Sequence, residues 1–184
     1  MDKYISYITE CRVGHFKDII NNSSPDHARA LSESLVIYAT EQKLPIRIIS
    51  GSLHENFWSP ITPFFEEYFK KNDPNIKLEI IILDNTKDSL NNNSVYKFLQ
   101  KYTSPDNNGN TKVIIHGGIR DIIVTNQAHF ILVGDSAYRK ETTQNRSVAI
   151  ASFNDPDNGK DLLDSFNFTR EYINSPPESA HKAI

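Results

Sequence analysis

The sequence predicts an α/β protein: one mixed, mostly parallel sheet flanked by helices on both faces. Aliphatic runs at residues 46–50, 77–83 and 112–116 alternate with stretches of helical spacing. Strands interleaved with helices imply parallel neighbours joined by crossovers. The run 77–83 is nearly all aliphatic, as an interior strand covered on both faces requires. Beyond Gly117 the pattern changes to short β-rich segments at 122–125, 128–133, 137–142 and 148–153, separated by turns.

Each element has its own signal. Helical spacing runs from residue 1 to about 22 through Tyr4, Ile8, Cys11, Phe16, Ile19 and Ile20, interrupted at Gly14. Ser24 or Asp26 then caps a helix reaching about Gln42, with Leu31, Leu35, Tyr38 and Ala39 on one face. The strand 46–50 leaves through Ser50-Gly51-Ser52. A helix over 60–71 carries Phe64, Phe65, Tyr68 and Phe69 and stops at Asn72-Asp73-Pro74. Another is expected over 94–102. Gly134-Asp135-Ser136 closes a hairpin, and Asp155-Pro156 opens a last helix to about Phe166. Ile80, Ile82, Ile114 and Leu132 are expected in the core. Residues 1–174 read as one domain with a helical part over 1–44, and residues 175–184 as a flexible tail.

Composition narrows the functional classes. A chain of 184 residues, 38% hydrophobic and 23% charged, suits one globular domain. Its one cysteine, Cys11, excludes an intrachain disulfide and a thiolate zinc site, and reads as a small buried hydrophobe. The net charge of −3 and a pI near 6.1 carry no global basic signature of a nucleic-acid binder. Apolar runs fall far short of the roughly 20 residues of a spanning helix. The first eleven residues mix Asp2, Lys3 and Glu10 with apolar ones and show no export-signal core. The expected location is therefore the cytoplasm, without membrane contact. No HExxH, EF-hand or P-loop spacing occurs, so neither a metal nor a cofactor is expected.

The residues that point to chemistry cluster in the second half. Ala128-His129-Phe130, Tyr138-Arg139-Lys140-Glu141 and Ala151-Ser152-Phe153-Asn154 follow one another across turns. With a three-residue hairpin turn, His129 sits opposite Glu141 and Ile131 opposite Arg139. His129, Arg139 and Glu141 then share one face of the sheet. Alternative explanations are an edge salt-bridge pattern for Arg139 and Glu141, and a helix-start signal for Asn154 with Asp155. Ser50, Gly51 and Ser52, with His54, form a second candidate as a phosphate-receiving turn between strand and helix. His116 before Gly117 is a further histidine that can enter the same cleft.

The stretch from His129 to Asn154 resembles the phospholipase D-like superfamily. That family carries a histidine–x–lysine motif on a strand, with an aspartate following, and glycine–serine–x–asparagine on a neighbouring strand. His129 matches the nucleophilic histidine, and Ser152 and Asn154 match the serine and asparagine. Ile131 stands in the lysine position, Ala151 in the glycine position, and Asp135 one residue ahead of the aspartate position. The resemblance implies a metal-independent phosphodiesterase in which one histidine is phosphorylated and a second protonates the leaving oxygen. With one motif in the chain, that mechanism implies a homodimer. Arg139 is expected to replace the missing lysine, since its planar fork suits phosphate, and Glu141 to orient His129. The catalytic set is thus His129, Arg139, Glu141 and Asn154, with Ser152, Ser50, Gly51 and Ser52 binding phosphate. A nuclease acting on nucleic acid, or on another phosphodiester, is the leading expectation. The alternative is an inactive module that binds a phosphate-bearing ligand or a protein partner in a larger assembly. A third reading is a glycosidase or transferase using Glu141 or Glu55.

Overall fold

The computed structural model describes residues 2–83, 87–106, 109–117, 128–142 and 148–174. The expected strand at 122–125 and the tail at 175–184 lie outside them. Among the described residues the strands are β1 (Ile20–Asn22), β2 (Ile46–Ser50), β3 (Leu78–Ile82), β4 (Val113–Gly117), β5 (Phe130–Val133), β6 (Ala137–Glu141) and β7 (Ala149–Ser152). They form one sheet in the order β1-β7-β6-β5-β2-β3-β4. The protein is thus α/β with a seven-stranded mixed sheet. The expectation that the sheet is mostly parallel needs correction. Only β2–β3 and β3–β4 are parallel, whereas β2–β5, β5–β6, β6–β7 and β1–β7 are antiparallel. A three-residue turn at 134–136 joins β5 to β6, and so short a link connects only antiparallel neighbours.

Helices cover both faces. On one lie α1 (Asp2–Gly14), α2 (Pro25–Gln42), α3 (Glu55–Trp58), a 3-10 turn (Ser59–Ile61), α4 (Thr62–Phe69), α5 (Lys87–Asn92) and α6 (Ser94–Gln100). Leu31, Leu35, Phe65, Tyr68 and Leu99 from this layer bury against Ile48, Ile80, Ile131 and Ala151 of the sheet. The opposite face is covered by α7 (Pro156–Asn174), whose Leu162 and Phe166 pack on Ile49, Ile81, Phe130, Leu132 and Tyr138.

Local chemistry sets the boundaries. Ser24 caps α2, its Oγ accepting from His27 N at 3.1 Å, and Pro25 occupies the first turn, where no donor is needed. The helix ends at Lys43, left-handed at φ 54, and β2 begins three residues later. Tyr68 Oη donates to Leu44 O at 2.8 Å and accepts from Lys77 N at 2.9 Å, tying the starts of β2 and β3 together. Pro60 and Pro63 lack backbone donors. The expected helix over 60–71 is accordingly shortened to α4 (Thr62–Phe69), with the 3-10 turn (Ser59–Ile61) leading into it. The helical reading of residues 1–22 is also corrected: α1 ends at Gly14 and residues 20–22 are strand β1. Ile114 is half-buried rather than in the core, because β4 is a sheet edge. Ile80, Ile82 and Leu132 are buried as expected.

The start of α7 locks onto the β5–β6 hairpin. Asp155 N donates to Ser136 O at 2.8 Å. The Asp155 carboxylate accepts from Asn158 N, Asn158 Nδ2 and the Tyr138 hydroxyl. Gly159 then lies so close to the hairpin that a Cβ would fall on the Asp135 carbonyl. Among the described residues, no helix is long and apolar enough to cross a membrane.

Candidate functional site

The hairpin register decides which side chains meet. Val133 pairs with Ala137 around a three-residue turn that uses Gly134 at φ 61, and Ile131 pairs with Arg139. Glu141 N donates to His129 O at 3.0 Å, so those two residues are opposite one another. Alternate residues of a strand share a face. His129, Arg139 and Glu141 therefore point, with Ile131, toward the layer that contains α2 and α3.

These three side chains form an ionic group. His129 Nδ1 lies 3.0 Å from Glu141 Oε2, and Arg139 Nη1 lies 3.6 Å from Glu141 Oε1. The Arg139 side chain is only 5% exposed, and its Nε is buried with no hydrogen-bond partner. Burial pushes the guanidinium below its ordinary value, and the Glu141 carboxylate opposes that shift. A buried cation with an unused donor carries an unmet demand for an acceptor.

A cavity of about 190 Å³ opens beside this group. One wall is His129, Arg139 and Glu141, and a second is Ser50, Gly51, Ser52 and His54 from the end of β2 and the loop after it. Ile49 pairs with Phe130, which places Ser50 next to His129 across the strand boundary. The Ser50 hydroxyl donates to Ser52 O at 2.8 Å and holds the turn. The remaining wall is apolar, built from Pro25 and Ala28 of α2, Phe57 and Trp58 of α3, and the sheet residues Ile49, Phe130 and Ile131.

Models of protein families, curated proteins and solved structures give no match to this chain.

Two expected members of the site lie elsewhere. Ser152 pairs with Tyr138, which packs under α7, whereas Ala151 pairs with Arg139. Ser152 is thus one residue out of phase and faces the opposite side of the sheet. It is fully buried, and its Oγ accepts from Asn154 N at 3.3 Å. Asn154 lies beyond the end of β7, and its amide donates to His15 O at 3.1 Å, fastening the end of α1. His116 also fails to enter the cavity. It faces α7, where its Nε2 meets Glu79 at 2.9 Å, and Arg170 approaches Glu79 at 3.4 Å. Glu55 accepts from Ser94 N at the start of α6.

The structure also adds residues that the sequence did not single out. Phe57 and Trp58 close the four-residue helix α3, which begins just after His54 and is too short to show a helical period. Asn22 is buried on β1, opposite Ala149, which in turn pairs with Glu141. Its Oδ1 has no partner. Tyr4 stacks on His27 with ring centroids 3.7 Å apart. Burial pushes its hydroxyl up to about 12, against the pull of the Arg139 charge.

The arrangement has a definite chemical capacity. With Nδ1 engaged by Glu141, Nε2 is the histidine nitrogen available to act on a ligand, and the carboxylate fixes the ring. Arg139 supplies a fixed positive charge beside it. Among the described residues, no group of three or more His, Cys, Asp or Glu side chains is arranged to hold a metal ion.

Proposed function

We propose that this chain is a divergent phospholipase D-like phosphodiesterase whose nucleophile is His129. The carrying observation is the His129–Glu141–Arg139 group on a cavity wall, with Arg139 buried and its Nε unpartnered. In this reading the Nε2 lone pair attacks phosphorus, and the ester oxygen leaves with a proton. The phosphoryl–histidine bond is then broken by water, which returns the histidine and releases the phosphate monoester. Arg139 balances the charge that grows on the equatorial oxygens. Glu141 holds the ring and stabilises its charged form during the step, as an orienting carboxylate does in other histidine sites.

The leaving oxygen needs a proton donor. His54 lines the same cavity and offers a second imidazole within one chain. A two-fold homodimer is the other route to a second ring, and light scattering of the active species separates the two.

The placement of Ser152 and Asn154 favours a second reading. With both directed away from the cavity, the motif residues that would complete the site are missing. What remains suits a module that binds a phosphate-bearing ligand without cleaving it. Hydrolysis of bis(p-nitrophenyl) phosphate in the presence of EDTA decides between them. The enzyme reading expects turnover that His129→Ala lowers by about 10²–10⁴, the usual worth of a positioned acid–base group. Phosphate binding without turnover supports the binding module, and turnover unaffected by His129→Ala removes the proposed role of His129.

A further inference from the structure

We infer that the cavity selects a single nucleotide-sized phosphoester bearing a flat aromatic group, seated with its phosphate at Arg139 and its ring against Phe57. This rests on the phosphoester reading above and narrows it, from nucleic acid to a small ligand.

Three observations carry it. The cavity lining combines two chemistries. His129, Arg139, Glu141 and the Ser50–Ser52 turn are polar, while Phe57, Trp58, Pro25, Ala28 and the neighbouring sheet residues are apolar. A ligand that satisfies both must join an anion to a compact apolar group. Phe57 is half-buried, and its ring stands edge-on to Trp58, with centroids 5.1 Å apart and planes at 86°. Trp58 is 6% exposed and is backed by Phe65. Phe57 is therefore held at a fixed angle on a rigid base, as a stacking platform requires, and every base offers a face to such a ring.

Size and charge argue against a polymer. A cavity of about 190 Å³ suits one small ligand rather than several nucleotides. Polymer binding draws its affinity from many Lys and Arg contacts to successive phosphates. Among the described residues lining the cavity, Arg139 is the only Lys or Arg, and the whole chain carries −3.

The protein contains its own reporter. Trp58 is the one tryptophan in the chain and lines the cavity, so its emission tracks occupancy. The wild-type chain is titrated with inorganic phosphate, ribose 5-phosphate, adenosine 5′-monophosphate and a single-stranded oligonucleotide, with calorimetry alongside the fluorescence. The monophosphate is expected to bind at least about tenfold more tightly than ribose 5-phosphate, within the range of one base–aromatic stack. Phe57→Leu should weaken the monophosphate at least tenfold, and more than it weakens ribose 5-phosphate. Circular dichroism confirms that the variant is folded. Equal affinity for the two sugar phosphates, or tighter binding of the oligonucleotide, overturns the inference and leaves the phosphoester site standing. Silence toward all four ligands by both methods removes the phosphoester reading and the inference with it.

Discussion

Glu141→Gln tests the site without requiring a substrate. Glutamine keeps the shape of the side chain and an acceptor for His129 Nδ1, but removes the charge that faces Arg139. The Arg139 side chain is 5% exposed and Glu141 15%, so water from the cavity replaces the lost carboxylate only in part. Breaking a buried pair by removing one member costs about 3–5 kcal/mol. The 3.6 Å separation is longer than a tight bidentate contact, which places the expected loss near the lower end. For a chain of this size, each kcal/mol moves Tm by about 2–4 °C, so a loss of about 3 kcal/mol lowers Tm by about 6–12 °C. An anion entering the cavity should then take the place of the carboxylate. A ligand at one hundred times its Kd stabilises by about 2.7 kcal/mol, enough to restore most of the loss. Thermal unfolding is followed by circular dichroism with rising phosphate, against chloride at matched ionic strength. Phosphate should raise Tm more in the variant than in the wild type. A variant within about 0.5 kcal/mol of wild type, the range of ordinary surface changes, would show that Arg139 does not depend on Glu141. Equal effects of phosphate and chloride would show that Arg139 does not receive anions.

Further expectations follow from other contacts. Glycine-to-alanine inside a helix ordinarily stabilises by about 1 kcal/mol, but at Gly159 the new Cβ meets the Asp135 carbonyl and lies 2.8 Å from Ser136 Cα. Gly159→Ala should therefore destabilise by at least about 1–3 kcal/mol, and denaturant unfolding showing a gain would contradict the close approach of α7 to the hairpin. Burial alone would raise Glu79, but the His116 hydrogen bond and the Arg170 charge outweigh it and hold the carboxyl below its ordinary value. The resulting stability is present above about pH 4.3, the usual glutamate value, and is lost as pH falls through the lower folded value. Glu79→Gln should flatten the pH dependence of unfolding in that acid range, and an unchanged profile would refute the assignment. Arg139→Lys should recover only part of the phosphate affinity that Arg139→Ala loses, because a point charge lacks the planar fork, and full recovery would show that charge alone is read.

The most legible parts of the chain were those where local chemistry and tertiary structure ask for the same residues. Residues 46–50 read as a strand and form one with those bounds, since an aliphatic run between Pro45 and Gly51 has few other uses. The hairpin was legible for a stronger reason. Gly134 supplies the left-handed turn, a three-residue turn sets the register, and the register alone puts His129, Arg139 and Glu141 on one face. Failures came where a single step in phase or a neighbour's position decides. Ser152 and Ala151 are adjacent in sequence, yet only the β6–β7 pairing shows which of them shares a face with Arg139. Ile114 has the same aliphatic signature as Ile80, and only the strand order reveals that it lies on an edge. β1 spans three residues, too few for any period to show.

The position of the site follows from the same topology that defeated the mostly parallel expectation. In open α/β sheets, ligands bind beyond the carboxyl ends of parallel strands, where the strand order reverses. Here β2 and β3 run parallel on one side, while β2 meets antiparallel β5 on the other. An antiparallel neighbour brings its own beginning to the end of β2. His129, just ahead of β5, is thereby set beside Ser50 at the end of β2, and the returning β6 delivers Glu141 to the same level. A parallel strand in that position would have placed its carboxyl end there instead, and His129 would have been carried to the far end of the sheet. The change from crossovers to a hairpin thus brings a histidine, its carboxylate and a buried arginine to the loop end where the Ser50-Gly51-Ser52 turn already lies.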